Sequence, residues 1–141
     1  MLSQIKIPNT EKTYLFPGNG PAPDGTDHAE IAAIRFVQSL GIRPNLSGYQ
    51  LLISAITLAL HDPALLSSMT RALYPAVAAQ HGCDVRAVER NIRRAIESAY
   101  EYDPERIRSV FYFKVKKPYL SEVISVAVET IRCEGGRMHQ S

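Results

Sequence analysis

The chain has 141 residues, of which 45% are hydrophobic and 21% charged, with a formal net charge of +2. One domain of this size buries roughly two thirds of its unfolded surface, which excludes a disordered tail, a collagen-like repeat and a disulfide-stapled miniprotein. A net charge so near zero names no partner, so any electrostatic signal has to be local.

Residues 1–26 differ from the rest. They hold Pro8, Pro17, Pro21 and Pro23 with Gly18, Gly20 and Gly25. The alternating pieces Gln4–Ile7 and Thr13–Phe16 predict a small hairpin, followed by a Pro/Gly linker, PGNGPAPDG. From Thr26 onward the pattern is helical. Asp27 caps a first helix carrying Ile31, Ile34, Phe36, Val37 and Leu40, which stops at Gly41. Ser47 caps a second, with Tyr49, Leu52, Ile53, Ile56, Leu58 and Leu60 on a broad apolar face. Asp62-Pro63, a cap followed by proline at the first helical position, starts a helix with Leu65, Leu66, Met69 and Leu73. Pro75 begins or kinks the next segment, which ends at Gly82. Asp84 caps a helix running to about Tyr102, and Asp103-Pro104 repeats the cap-plus-proline start. A last helix begins near Ser121, buries Val123, Ile124, Ala127, Val128 and Ile131, and ends before Gly135-Gly136.

The informative segment is Val77 to Ile96, VAAQHGCDVRAVERNIRRAI. Ala78 is small where two helices cross. Gly82, four residues later, supplies the left-handed backbone of a tight turn. Asp84 caps the following helix, and Val88 and Ile92 turn it back onto the preceding one. This is the spacing of a helix-turn-helix, whose second helix enters the DNA major groove. At 100° per residue, Arg86, Arg90, Arg93, Arg94 and Glu97 share an arc of about 100°, with Glu89 at its edge. Val85, Val88, Ile92, Ala95, Ile96 and Ala99 occupy the opposite arc, so burying them forces the arginines outward. Arginine donates bidentately to guanine O6 and N7 or bridges phosphate oxygens. Glu89 either accepts from a cytosine amino group or fixes Arg93 four residues on. The competing reading is a solvated helix face with internal ion pairs. Local charge favours the first: residues 71–117 hold ten Lys and Arg against six Asp and Glu, and the other 94 hold six against eight. Lys114, Lys116 and Lys117, before Pro118, form a second basic cluster suited to phosphates, or merely a soluble loop. The intervening VFYFKV, Val110 to Val115, reads as a short strand or a helix end.

Other classes find little support. The most apolar stretch, near Leu51 to Leu60, falls far short of the ~20 residues a membrane span needs, and the first residues lack the apolar core of a signal peptide. Cys83 and Cys133 sit in no CxxC or His-rich spacing, which points to two free thiols in a reducing, cytoplasmic compartment. His28, His61, His81 and His139 are far apart and lack partners at metal-ligand spacing, so no metal or other cofactor is expected. No nucleophile elbow, phosphate loop or catalytic carboxylate pair is present, so no enzyme is expected.

The run from Gly41 to Tyr100, with its GxxxxxxGY at Gly41 to Tyr49, LYP at Leu73 to Pro75 and RAVERNIRRAIESAY at Arg86 to Tyr100, resembles the C-terminal DNA-binding effector domain of the stage-zero sporulation response regulator A family. KPYLSE, Lys117 to Glu122, resembles the family's last loop and helix start. The resemblance covers Ile34 to about Arg132. It implies a six-helix bundle around a helix-turn-helix, binding to short promoter boxes in double-stranded DNA, and contact with RNA polymerase sigma factor. By position, Glu89, Arg90, Arg93 and Arg94 are its groove-facing residues. Arg94 replaces a histidine often found there, and Ala87 stands where the family often has arginine. Only about 30 residues precede the match, too few for the family's receiver domain, so the chain is expected either to act without phosphorylation or to be regulated by a partner or by the N-terminal arm, a candidate homodimerisation element.

The expectation is therefore an all-α protein: a compact bundle of about six to seven helices containing a helix-turn-helix, with a short non-helical N-terminal arm. The arm covers 1–26, the helical effector domain 27–134 and a flexible tail 135–141. The leading functional reading is a sequence-specific DNA-binding transcriptional regulator using helix 84–102. The alternative is a protein-interaction module of the same fold, binding sigma factor or a full-length regulator.

Overall fold

A computed structural model describes residues 27–111 and 116–140, and of 136–140 only the backbone path. The hairpin and linker expected over 1–26, and Lys114, lie outside the described residues. The described residues form six α-helices and no strand.

Helix α1, His28–Ser39, is capped by Asp27, whose Oδ1 accepts from the Ala29 N–H at 2.9 Å. It ends at Leu40, after which Gly41 takes φ +85° and turns the chain. Helix α2, Ser47–His61, begins one residue earlier than its predicted cap requires. Leu46, in extended backbone, holds the cap position without a side-chain hydrogen bond, and Ser47 is already helical. The cause is the preceding turn, in which the Leu46 N–H bonds the Arg43 carbonyl and aligns residue 47 for the helix.

Asp62 caps the next segment through the Ala64 N–H at 3.3 Å, but no single α-helix follows. A 3-10 turn over Pro63–Ser68 passes into a π turn over Met69–Leu73. Pro75 explains the widening. It has no N–H, and in an α-helix its ring would press on the carbonyl four residues back, at Arg71. The chain adds a residue to the turn instead, and the Tyr74 N–H reaches the Met69 carbonyl, five back.

Helix α3, Tyr74–His81, ends at Gly82; α4, Val85–Tyr102, and α5, Pro104–Val110, both follow aspartate caps. Val110 opens the ambiguous VFYFKV run as the last residue of α5, and Phe111, which caps that helix, is buried; the rest of the run, 112–115, lies outside the described residues. Helix α6 spans Leu120–Gln140 and runs through Gly135-Gly136 instead of stopping before them. A glycine costs a helix about 1 kcal/mol relative to alanine but does not forbid it, and no proline intervenes.

Helix α2 occupies the centre, packed against α1, α3, α4 and α6. Leu51, Leu52, Ile53, Ala55, Ile56 and Ala59 are buried on several of its sides, as expected for a helix enclosed by others. Val37, Leu73, Val77, Val88, Ile92, Ile107, Phe111, Val123 and Ile124 close the core around it. Each such side chain contributes about 1.5–3 kcal/mol relative to exposure. Cys83 and Cys133 are both free thiols. No helix among the described residues is long and apolar enough to cross a membrane.

Candidate nucleic-acid interface

The unit of interest is α3, its turn and α4. At the end of α3 the Gly82 and Cys83 N–H groups both bond the Ala78 carbonyl, and Gly82 adopts φ +65°, ψ 35°. A β-branched or bulky residue is strained in that region; glycine is not. Two residues on, Asp84 Oδ1 accepts from the Ala87 N–H at 2.8 Å and starts α4 in the new direction. Ala78 is buried at the crossing.

The rotation of α4 about its axis is fixed by burial. Val88, Ile92, Ala95, Ile96 and Ala99 are buried, and the first turn of α2 lies directly on α4 at Asn91 and Ala95. A β-carbon on Gly48 would stand 2.2 Å from the Asn91 carbonyl oxygen and 2.8 Å from Ala95 Cβ. With that side sealed, Arg86, Arg90, Arg93 and Arg94 are all exposed and Glu89 is half-buried. Arg93 lies 4.0 Å from Glu89, one turn before it. Arg86, Arg90 and Arg94 have no acidic partner among the described residues, so their guanidinium groups stand in solvent with their donors available.

Behind this face sits Tyr74, buried at the start of α3, its hydroxyl donating to Met69 Sδ at 3.5 Å. Burial and the Glu89 carboxylate push its pKa up to about 12, against the opposing pull of Arg93. The tyrosine therefore stays neutral and adds no charge to the face. At the other end of α3, His81 Nε2 lies 2.7 Å from the Ser54 hydroxyl of α2. Burial pushes the imidazole below its ordinary value, so at neutral pH it too is uncharged.

Of the second basic cluster, Lys116 and Lys117 are exposed just before α6. The two clusters meet: Lys117 Nζ donates to Glu97 Oε2 at 2.9 Å, and Glu97 lies on the arginine side of α4. Sequence reasoning placed both residues but missed their pairing, because the partners are 20 positions apart and no local pattern joins them. The same holds for Ser54 and His81, 27 apart.

Among the described residues no group of three or more His, Cys, Asp or Glu is arranged to hold a metal. An open cleft of about 440 Å³ between the 3-10/π segment and the start of α6 has Glu122 as its one titratable side chain. That carboxylate caps α6 by accepting from the Tyr119 N–H at 2.8 Å.

The family described as "Sporulation initiation factor Spo0A C terminal" matches residues 33–131, which include the whole of the α3–turn–α4 unit.

Proposed function

The chain belongs to the Spo0A C-terminal family of DNA-binding effector domains of sporulation transcription regulators, and from that premise we propose that it is a sequence-specific transcriptional regulator that reads the major groove with α4. The observation that carries this reading is the set of exposed arginines, three of them without an acidic partner among the described residues, on the outward side of a helix whose other side is sealed. A helix of 18 residues is about 27 Å long, and the major groove, about 12 Å wide, admits it.

The side chains divide by reach. Arg90 and Arg93 read bases, by bidentate donation to guanine O6 and N7. Glu89, 4.0 Å from Arg93, either orients that arginine by its charge or accepts from a cytosine amino group in the same groove. Arg86 and Arg94 meet base edges or phosphates. Lys116 and Lys117, with Lys114 beside them in sequence, engage the phosphate backbone, which sets register without reading sequence.

The test is selection. The full chain is incubated with a random-sequence duplex pool at low salt, and the bound fraction is sequenced over several rounds. Enrichment of a defined box is expected. Arg90→Ala or Arg93→Ala should then weaken binding to that box by about 1–3 kcal/mol and relax the base preference at one position. A pool that stays random would overturn the reading. In that case, a protein complex that survives nuclease digestion would identify the arginine face as a docking surface for an acidic protein.

A further inference from the structure

We propose that Glu97 is a positioning residue that holds Lys117 at the C-terminal end of the arginine face, and so fixes where the chain engages the phosphate backbone. This rests on the DNA-binding reading above and deepens it.

A carboxylate on this face is otherwise unfavourable. Glu97 follows Arg93 and Arg94 by one turn on the side that would meet a polyanion, where a free carboxylate repels phosphates. The structure pairs it instead: Lys117 reaches across from the segment before α6 and donates at 2.9 Å, while both side chains stay partly exposed, at 41% for Lys117 and 38% for Glu97. The reach is stabilised from behind, because Pro118 is buried and pins the main chain next to Lys117. Two consequences follow from the chemistry. A lysine ammonium carries three donors. One is taken by Glu97, and the rest remain for an oxygen in front of the face. The flexible four-carbon stem, which samples many rotamers when free, is held in one place before DNA arrives, so less freedom is lost on binding. Glu97 thus exchanges a local repulsion for a cation at a fixed position relative to Arg90 and Arg94. Lys116, exposed beside it, has no acidic partner among the described residues.

The experiment is a double-mutant cycle on the full chain, with the duplex recovered by selection and an unrelated duplex of equal length. In the wild-type background Lys117→Ala should lower affinity for the selected duplex about fivefold, the size of a modest exposed charge contact. In the Glu97→Gln background the same change should cost less than about twofold. Glu97→Gln alone should raise affinity for the unrelated duplex, because a repulsive carboxylate is gone, and so lower the ratio between the two duplexes. Ethylation interference supplies a readout that a structural role would not move: one phosphate whose ethylation blocks the wild type should cease to matter in Glu97→Gln. An equal cost of Lys117→Ala in both backgrounds, with an unchanged interference pattern, would overturn the inference while leaving the DNA reading intact. A wild type that distinguishes neither duplex would overturn the DNA reading and this inference with it.

Discussion

Gly48 in α2 lies against the main chain of Asn91 in α4, so closely that any β-carbon at position 48 would intrude on the Asn91 carbonyl. The contact sets the central helix on the Asn91 main chain and the Ala95 Cβ of the arginine-bearing helix, neither of which can step aside by changing rotamer. Gly48→Ala is therefore expected to push α4 outward. The expected loss is at least the 1–3 kcal/mol typical of overpacking, read by urea denaturation. DNA affinity measured well below the melting temperature should fall as well, because the arginine arc moves with α4. Unchanged stability would show that the two helices are not in this contact.

Gly82 gives the opposite kind of glycine dependence. A β-carbon there meets nothing within 4 Å, but the residue holds φ +65°. Gly82→Ala is expected to cost about 1–2 kcal/mol from conformation alone. Gly82→Asn should recover much of that, because asparagine visits the left-handed region more readily. At Gly48, asparagine should be at least as damaging as alanine. A denaturation series over these four variants separates a steric from a conformational requirement, and Gly82→Ala and Gly82→Asn being equally stable would remove the second.

How far the site was legible in the sequence depended on the range of the interactions. Asp27, Asp84 and Asp103 act as predicted because a cap joins a side chain to an amide two or three residues on, well inside what spacing reports. The outward arc of Arg86, Arg90, Arg93 and Arg94 was legible because the helical period and the apolar residues opposite define it together. Ser47 misled because a good capping residue sat one position after the turn that starts α2. The π turn at Met69–Leu73 was hidden because Pro75 can be accommodated by a kink, a new helix or a widened turn, and packing chooses among them. Neither the Glu97–Lys117 pair nor the Ser54–His81 contact has a local signature; each exists only once distant helices have docked.

Salt should act strongly on binding. Each phosphate neutralised releases condensed counterions, so the logarithm of affinity falls with the logarithm of salt concentration in proportion to the number of contacts. With Arg86, Arg94, Lys116 and Lys117 available to phosphates, a slope of roughly −3 to −4 is expected on the selected duplex. Lys116→Ala should make that slope shallower by about 1 and weaken binding to all duplexes alike. A slope unchanged by the substitution would place Lys116 away from the backbone.

Acid should loosen the joint between α2 and the turn. His81 lies 2.7 Å from the Ser54 hydroxyl, and burial holds its imidazole below the ordinary value of about 6.5. The sign follows from that depression. As pH falls through the ordinary value, the unfolded chain takes up a proton that the folded chain still refuses, so stability declines. The His81 contribution is whole above about pH 6.5, shrinks below it, and levels off only once the folded imidazole also protonates. Carboxylates titrate in part of the same range, so the comparison needs a variant that removes only this group. His81→Gln keeps a polar side chain beside Ser54 and cannot ionise. Urea denaturation of both proteins at pH 7.5 and pH 5.5 should show the wild type losing more stability on acidification than His81→Gln. Because His81 closes α3 immediately before the turn into α4, the wild type's DNA affinity should also fall more steeply over that interval. Parallel losses in the two proteins would show that the imidazole is equally accessible to protons folded and unfolded.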